Sequence, residues 1–314
     1  MAMSRSRILI GILLCAAPTA GAAQDLTPRA YFPAPDASNV VIVTYALSKG
    51  ELVFDPTLPI TDATGTIHTP VLSAYHAFGL FGRSASVTGS LPFAIGNLSG
   101  NVDGESRAIT RRGIVDANVR LAVNLVGGPS LSAAEFVKTP ISRALLGASI
   151  KIVAPTGQYE PTRLINIGAN RWAFKPELGY TGRTGRFVFD AFAGIWLFTA
   201  NQSFAATAAN PLGVERSQDP IGAFEFHVSY DVKPRLWVSA DINYWRGGRT
   251  SVNGVEGSQT LQANSRLGVT GSVPLTRRQS IKISYSDGVI VRIGGNFQVL
   301  SVGYQYGWIG KQWN

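Results

Sequence analysis

Apolar and polar positions alternate along much of the chain, and the stretch from residue 154 to residue 180 shows this pattern most sharply. Over residues 171–180 the even positions are bulky and apolar, while the odd positions include Arg171, Lys175 and Glu177. Because β-strand side chains point alternately to two faces, these residues predict a strand with one apolar face and one charged face. A closed barrel in a bilayer gives such a strand lipid on one side and water on the other.

The same alternation recurs in about twelve segments, most of them about 10 to 14 residues long. Strands of soluble sheets usually have about 5 to 6 residues, whereas a tilted membrane-spanning strand needs about 9 to 11. The predicted fold class is therefore all-β: a transmembrane antiparallel β-barrel of about twelve strands within residues 39–314. The predicted strands are 39–48, 70–81, 85–95, 113–126, 144–155, 169–180, 186–199, 220–231, 235–247, 261–273, 279–288 and 296–308.

The polar faces of these segments carry the candidate functional residues. In the eighth segment Glu225 and His227 share the face opposite Phe224 and Phe226. An Arg or Lys on the lipid face costs about 2–4 kcal/mol at mid-depth, so a slip of one residue is strongly disfavoured. We therefore predict that the charged faces line the lumen. The predicted lumen residues are Asp116, Arg120, Lys151, Arg171, Lys175, Glu177, Asp190, Glu225, His227, Asp241, Arg266 and Lys282.

One pair of carboxylates gives a specific expectation. If the eighth and ninth segments pair around a turn at residues 232–234, Glu225 lies opposite Asp241. Like charges directly opposite each other need a cation between them, and Arg266 is the predicted partner. The prediction is a lumen crossed by charge pairs with aromatic patches at Trp196 and Trp245. The alternative, that the charges only fill the lumen and lock its wall, stays open because twelve strands lie between filled barrels and open channels.

The connections between segments alternate in length. The short ones are 82–84, 181–185, 232–234 and 274–278, and the longer ones are 49–69, 96–112, 156–168, 200–219, 248–260 and 289–295. Short periplasmic turns that alternate with long outer loops are typical of outer-membrane barrels, and this parity places the N-terminus in the periplasm. The connection 127–143 should be short and is not, and residues 132–135 inside it predict a helical turn.

Aromatic residues gather near the ends of the segments, as expected for the two interfacial girdles of a membrane protein. The alternative is a soluble sandwich with ordinary core aromatics, which the long segments and the parity of the connections disfavour. These aromatic residues are Trp172, Tyr180, Trp196, Tyr244, Trp245, Tyr304, Tyr306 and Trp308.

The first residues predict export. Arg5 and Arg7 precede an apolar run at residues 8–17, and small residues at 20–23 offer a cleavage site, so residues 1–23 are predicted to be a signal peptide. The lone Cys15 lies inside the apolar run, and a lipoprotein anchor there is disfavoured. Residues 24–38 are predicted to be either a plug inside the lumen or a periplasmic tail.

The chain is basic, with a formal net charge of +9. Its arginines are scattered or lie in turns, so anionic lipid headgroups or an anion-tolerant lumen fit this charge better than nucleic acid. The predicted location is the outer membrane of a Gram-negative bacterium, and the predicted partners are outer-membrane lipid, a small hydrophobic or aromatic solute and the barrel-assembly machinery. The last aromatic, Trp313, stands one place before the terminal position that this machinery usually reads.

The sequence around the sixth segment resembles one known family. A PTGxY loop, an NxGxNRW motif and an FxPxLGY strand are similar to the outer-membrane family called the putative MetA-pathway phenol-degradation proteins. The resemblance implies a barrel that moves hydrophobic or aromatic small molecules across the outer membrane, and it supplies no catalytic residues. The matching residues are Pro155, Thr156, Gly157, Tyr159, Asn166, Gly168, Asn170, Arg171, Trp172, Phe174, Pro176, Leu178, Gly179 and Tyr180.

No motif points to enzymatic chemistry. The histidines are His68, His76 and His227, and none has a partner at metal-ligand spacing, so no metal or cofactor is predicted. Two alternatives to passive uptake stay open: a phospholipase-like barrel, which needs a His and a Ser near one rim, and a structural or adhesive barrel. His68, placed in the first long loop, is the candidate for the enzyme, whereas His227 and provisionally His76 are predicted to face the lumen.

Overall fold

The structure is a computed structural model that describes residues 26–54, 60–140, 142–163 and 165–310. The predicted signal peptide and Trp313 lie outside these residues. Within the described ranges, no helix combines the length and the apolar character that crossing a bilayer requires.

The architecture is a closed twelve-stranded antiparallel barrel, as the alternation predicted. Each of the twelve barrel strands pairs with the barrel strands before and after it in the chain, and the barrel closes where the first strand pairs with the last over their whole length. The strands are β1 Ser38–Val53, β2 Ile60–Leu80, β3 Arg83–Val102, β4 Glu105–Ile114, β5 Asn118–Val126, β6 Ala144–Val153, β7 Ala173–Thr184, β8 Phe187–Phe198, β9 Asn201–Phe204, β10 Val214–Gln218, β11 Ile221–Lys233, β12 Leu236–Gly247, β13 Thr250–Val252, β14 Val255–Glu256, β15 Gln262–Pro274, β16 Gln279–Ile290 and β17 Gly294–Ile309.

All twelve predicted strands are present, but the first four are longer than the alternation indicated. β2 extends to Ile60 and β3 to Val102, and β4 forms a hairpin with β3, so the predicted loops 49–69 and 96–112 are mostly strand. These extensions are held by polar cross-strand pairs such as Thr64–Ser99 and Thr110–Asn97. Their outer ends lie beyond the apolar band, so no lipid face imposes alternating hydrophobicity there.

The fourth barrel strand is divided into β4 and β5. β3 pairs with both pieces, whereas β6 pairs with β5. The break falls at residues 115–117, inside the segment 113–126 that was predicted to be continuous.

The outer face of the barrel is apolar and the inner face is polar, as predicted. Phe224 is 55 % exposed on the outside, while the neighbouring Glu225 is buried within the barrel. His76 departs from the prediction, because it shares the outer face with Asn39, to which it hydrogen-bonds at 2.8 Å. Trp196 and Trp245 belong to the lumen rather than to an interfacial girdle, since both are buried.

The two ends of the barrel differ. At the end with the long loops, β9, β10, β13 and β14 form a separate four-stranded sheet, where the sequence predicted only loops. We call this the long-loop end, and the opposite one the short-turn end. At the short-turn end the exceptional connection 127–143 contains helix α1, Ala133–Lys138, which confirms the predicted helical turn. In the same connection, the Leu131 carbonyl accepts a hydrogen bond from the Asp36 backbone N–H at 2.8 Å.

Candidate functional site: the barrel lumen

A chain of paired acidic and basic side chains runs along the inner wall from β7 to β12. The Lys175 ammonium lies 2.7 Å from Glu177 and 3.0 Å from Glu225. Glu225 in turn lies 3.4 Å from His227, whose Nδ1 is 2.8 Å from Asp241. We call these five residues the lumen network. Since all of them are buried, the pairing offsets the large cost of removing these polar and charged groups from water.

The pairing of β11 with β12 corrects one prediction. Asp241 lies opposite His227 rather than opposite Glu225, which faces Asn243. The turn lies further along the chain than predicted, because Lys233 pairs with Leu236 and β11 bulges between Asp231 and Lys233. The two carboxylates are therefore diagonal, and His227 stands between them.

Arg266 does not take the predicted role between those carboxylates. Its guanidinium donates a hydrogen bond to Ser286 at 2.9 Å. Asp241 is instead satisfied by its own neighbours, since Ser239 and Thr270 donate to it at 2.9 Å and 2.7 Å. The lumen network is thus fixed by neutral hydroxyl groups as well as by charge.

Two further cations, Arg120 and Lys151, flank the network. Arg120, Lys151 and Lys175 are direct partners in the register of β5, β6 and β7, so three basic side chains lie side by side on the inner wall. Arg120 reaches Glu177 at 3.4 Å. Three cations therefore lie close together in this part of the lumen, and the carboxylate of Glu177 is bound by Arg120 from another strand.

Residues 26–37, which we call the lumen segment, lie inside the barrel at its short-turn end. The Thr27 hydroxyl donates to Glu225 at 3.1 Å, and the Arg29 backbone N–H donates to Asp190 at 2.9 Å. Asp190 also accepts from Thr181 at 2.6 Å. The segment therefore uses carboxylates of the inner wall as its anchoring points.

Tyr31 is the most deeply held side chain of the lumen segment. Its hydroxyl lies 3.0 Å from both Glu177 and Ser149, and its ring meets Phe192 edge-on at a centroid distance of 5.2 Å. Gly147 and Gly179 leave room for the ring, because a Cβ at either position would lie 2.1 Å from it. The inner wall thus contains a shaped seat for this phenol.

Arg29 ties the lumen segment to the short-turn end. Its guanidinium pairs with Asp231 at 2.7 Å and lies over the rings of Phe32 and Trp237. Arg183 reaches the same carboxylate at 3.0 Å. Two arginines from distant parts of the chain therefore converge on Asp231.

The lumen becomes apolar toward the long-loop end. Inward-facing side chains there form one packed cluster, which we call the aromatic wall. Two cations border it: Arg171 lies 4.4 Å from the centre of the Phe198 ring, and Lys175 lies 5.9 Å from that of Trp196. The aromatic wall consists of Val153, Ala173, Trp196, Phe198, Ile221, Ala223 and Trp245.

The loop with the PTG and NxG motifs closes the break between β4 and β5. Asp116 lies in this break and accepts hydrogen bonds from the backbone N–H groups of Gly157 and Ala169, both at 2.8 Å. Gly157 and Gly168 touch, since a Cβ on Gly157 would lie 2.7 Å from the Gly168 Cα. Asp116, predicted to be a pathway residue, therefore holds the loop in place.

The remaining predicted lumen residues also lie on the inner wall. Lys282 faces inward from β16, and Arg171 donates to Gln218 beneath the small sheet. The lumen segment was the part that the alternation could not place, because it contains no strand pattern.

In the described part of the chain, His, Cys, Asp and Glu residues form no group that could hold a metal ion.

Comparisons with known proteins agree with this architecture. A family model described as "Putative MetA-pathway of phenol degradation" matches residues 60–299. The COG4313 outer membrane channel from Pseudomonas putida F1 is similar in structure, with a TM-score of 0.73, 18 % identity, and coverage of 90 % of this chain and 100 % of that one. The beta domain of the Bordetella autotransporter BrkA has a TM-score of 0.50 and 12 % identity over 86 % of this chain and 99 % of that one. No curated protein sequence matches.

Proposed function

This chain belongs to the family described as "Putative MetA-pathway of phenol degradation", and we propose that it is an outer-membrane channel for the passive uptake of small hydrophobic or aromatic compounds. The observation that carries the proposal is the aromatic wall. An apolar, ring-lined entrance favours apolar and aromatic solutes over sugars. The fold itself, with a lipid-compatible outer face, supports a location in the outer membrane.

The cations beside the aromatic wall extend the proposal to aromatic acids and phenols. Arg171 and Lys175 already lie over rings of the wall. An incoming ring could replace these cation–π contacts, and a phenolic or carboxylate oxygen would then meet the same cations. The lumen therefore suits a solute with an apolar ring and one polar group.

The lumen segment acts in this proposal as the gate. It occupies the short-turn end and is held by Glu225, Asp190 and Glu177, so a solute passes only after these contacts loosen. The contacts are hydrogen bonds and one ion pair rather than strand pairing. Such a segment can leave its seat without opening the barrel wall.

Uptake by a Gram-negative host tests the proposal. Cells that make the protein should take up labelled phenol and benzoate faster than cells with an empty vector, while glucose uptake stays unchanged. The variant R29A/Y31A should increase both the uptake of the aromatic solutes and the single-channel conductance in planar bilayers. Arg107→Ala, at an exposed residue of the long-loop end, is the matched control and should change neither.

Two rival functions make different predictions. If the barrel degraded lipid, His68→Ala would abolish phospholipid hydrolysis by the purified protein; yet His68 lies on β2 rather than in a loop, and its Nδ1 is 2.5 Å from the Tyr45 hydroxyl. If the barrel were only structural, uptake of phenol would be the same with and without it. Either result would replace the transport proposal.

A further inference from the structure

The connections of the short-turn end share one feature that transport does not use. Each connection between paired strands at this end carries at least one exposed basic residue. We call this set the cationic rim, and it occupies all five strand connections of this end. Its residues are Arg83, Lys138, Arg143, Arg186, Lys233, Arg235, Arg277 and Arg278.

The cationic rim is hardly balanced by acids. Among the described residues at the short-turn end, Glu135 is the single exposed carboxylate, while Asp36 and Asp231 are partly buried and engaged in contacts. At the long-loop end basic and acidic side chains occur together, as in the ion pairs Arg107–Glu105 and Arg249–Glu256. The asymmetry therefore belongs to one end and not to the protein as a whole.

Apolar side chains lie between these cations. Phe81, at the tip of the turn between β2 and β3, is 97 % exposed, and Leu275 and Val232 are exposed in two other turns. Tyr306 and Trp308 form an aromatic girdle just above, on the outer face of β17. Interfacial aromatics, exposed apolar tips and basic residues in one ring match the chemistry of a bilayer surface.

We propose that the cationic rim binds the headgroups of anionic phospholipids in the adjacent leaflet and so selects the lipids that surround this end. A ring of charge fits a bilayer, which surrounds the barrel on all sides. A protein partner would need a patch on one side. In the orientation inferred from the loops, this leaflet is the periplasmic one, and the anionic group is a lipid phosphate.

Two lipid-facing tryptophans allow a direct test. Trp308 lies next to the rim, since the adjacent Gly307 N–H donates to the Arg278 carbonyl at 2.8 Å, whereas Trp172 lies at the long-loop end. Two reporters are needed: W172F/W313F, which keeps Trp308 on the lipid face, and W308F/W313F, which keeps Trp172 there. The lumen residues Trp196, Trp237 and Trp245 remain in both reporters and give the same background emission. Each is reconstituted in vesicles of phosphatidylglycerol and phosphatidylcholine, with bromine on the acyl chains of one lipid at a time.

The proposal expects brominated phosphatidylglycerol to quench Trp308 roughly twofold or more better than brominated phosphatidylcholine, because each basic residue near the surface attracts anionic lipid. Trp172 should show no preference. The variant R277Q/R278Q should remove the preference at Trp308, and about 1 M NaCl should do the same by shortening the Debye length to about 3 Å. The matched variant R112Q/R246Q, at exposed residues of the long-loop end, should preserve it.

Equal quenching of Trp308 by the two lipids would overturn the proposal, and so would an equal preference at Trp172. A preference that survives both the variant and the salt would assign lipid selection to the aromatic girdle instead. Heat-dependent gel mobility would reveal whether R277Q/R278Q fails to fold. In that case the salt dependence of the quenching preference in the W172F/W313F reporter still decides whether the cationic rim selects the lipid.

Discussion

The Tyr31 hydroxyl donates a hydrogen bond of 3.0 Å to Glu177, although the two residues are 146 positions apart in the chain. This contact joins the lumen segment to the lumen network, since Glu177 also pairs with Lys175. The lumen segment and the charged wall are therefore one connected structure. Loosening either one is expected to affect the other.

Replacing Tyr31 with Phe should destabilise the barrel by about 1–3 kcal/mol, because Glu177 would lose a buried donor. Urea unfolding, followed by the heat-dependent gel mobility of the folded band, measures this change. Tyr285→Phe, on the exposed outer face of β16, is the control and should leave the free energy of unfolding unchanged. Equal stability of both variants would show that the Tyr31 contact contributes nothing.

Replacing Lys175, the central cation of the lumen network, should lower the free energy of unfolding more than Tyr31→Phe does. Lys175→Met leaves Glu177 and Glu225 without their shared partner, and breaking a buried pair costs about 3–5 kcal/mol. In the double variant K175M/E225Q the loss should be smaller than the sum of the single losses, because one stranded charge is gone. Lys49→Met, at an exposed lysine, serves as the control. Additive losses would argue against a coupled network.

The register of β11 and β12 can be tested with cysteines, since Cys15 is the only cysteine of the sequence and lies in the predicted signal peptide. The variant H227C/D241C should form a disulfide on mild oxidation, because direct antiparallel partners lie about 4.5–5.5 Å apart. The variant E225C/D241C should not, since diagonal neighbours lie about 7–8 Å apart. The reverse result would restore the pairing first expected from the sequence.

Gly157→Ala should disturb the loop that closes the break in the fourth strand. The added methyl group would lie 2.7 Å from both the Gly168 Cα and Asp116, so the backbone would have to move. Limited proteolysis should then cut within residues 154–172 faster than in the unaltered protein. Gly89→Ala, where a Cβ meets no atom within 4 Å, should leave the rate of cleavage unchanged.

The helix at the short-turn end provides a pH test. Hydrogen bonds from the Ser132 hydroxyl and backbone lower the pKa of Glu135 below its ordinary value of 4.5. The ionised carboxylate therefore supports the helix at neutral pH, and this support is lost as the pH falls through that lowered pKa. Ser132→Ala should raise the pKa of Glu135 toward 4.5, as carboxylate NMR would measure, while Thr139→Ala at the other end of the helix should not.

The sequence predicted the barrel well where lipid imposes a rule. On β7, β11 and β12 the charges in the middle of each strand fall on the inner face, because a charge in the bilayer is costly, whereas Lys233 and Arg246 are exposed at strand ends. Beyond the bilayer this rule ends. The outer parts of β2 and β3 are rich in Thr, Ser, Asn and Gly, so their sequence gave no sign that they continue as strands.

The sequence predicted which residues line the lumen, but it did not predict which of them are in contact. That Glu225 and Asp241 face inward follows from alternation, whereas their distance depends on one bulge and on the exact turn residues. The position of Tyr31 depends on Gly147 and Gly179, two glycines from different strands that leave space only when the barrel is closed. Such space has no signature in the linear sequence.

The lumen segment leads directly into β1, the strand that closes the barrel against β17. The segment and the seam of the barrel are therefore continuous in the chain. Since the segment enters from the same end at which β1 begins, it can take its place while the seam is still open and is enclosed when β1 and β17 join. Under the proposed function, the gate would thus be in place before the barrel wall is complete.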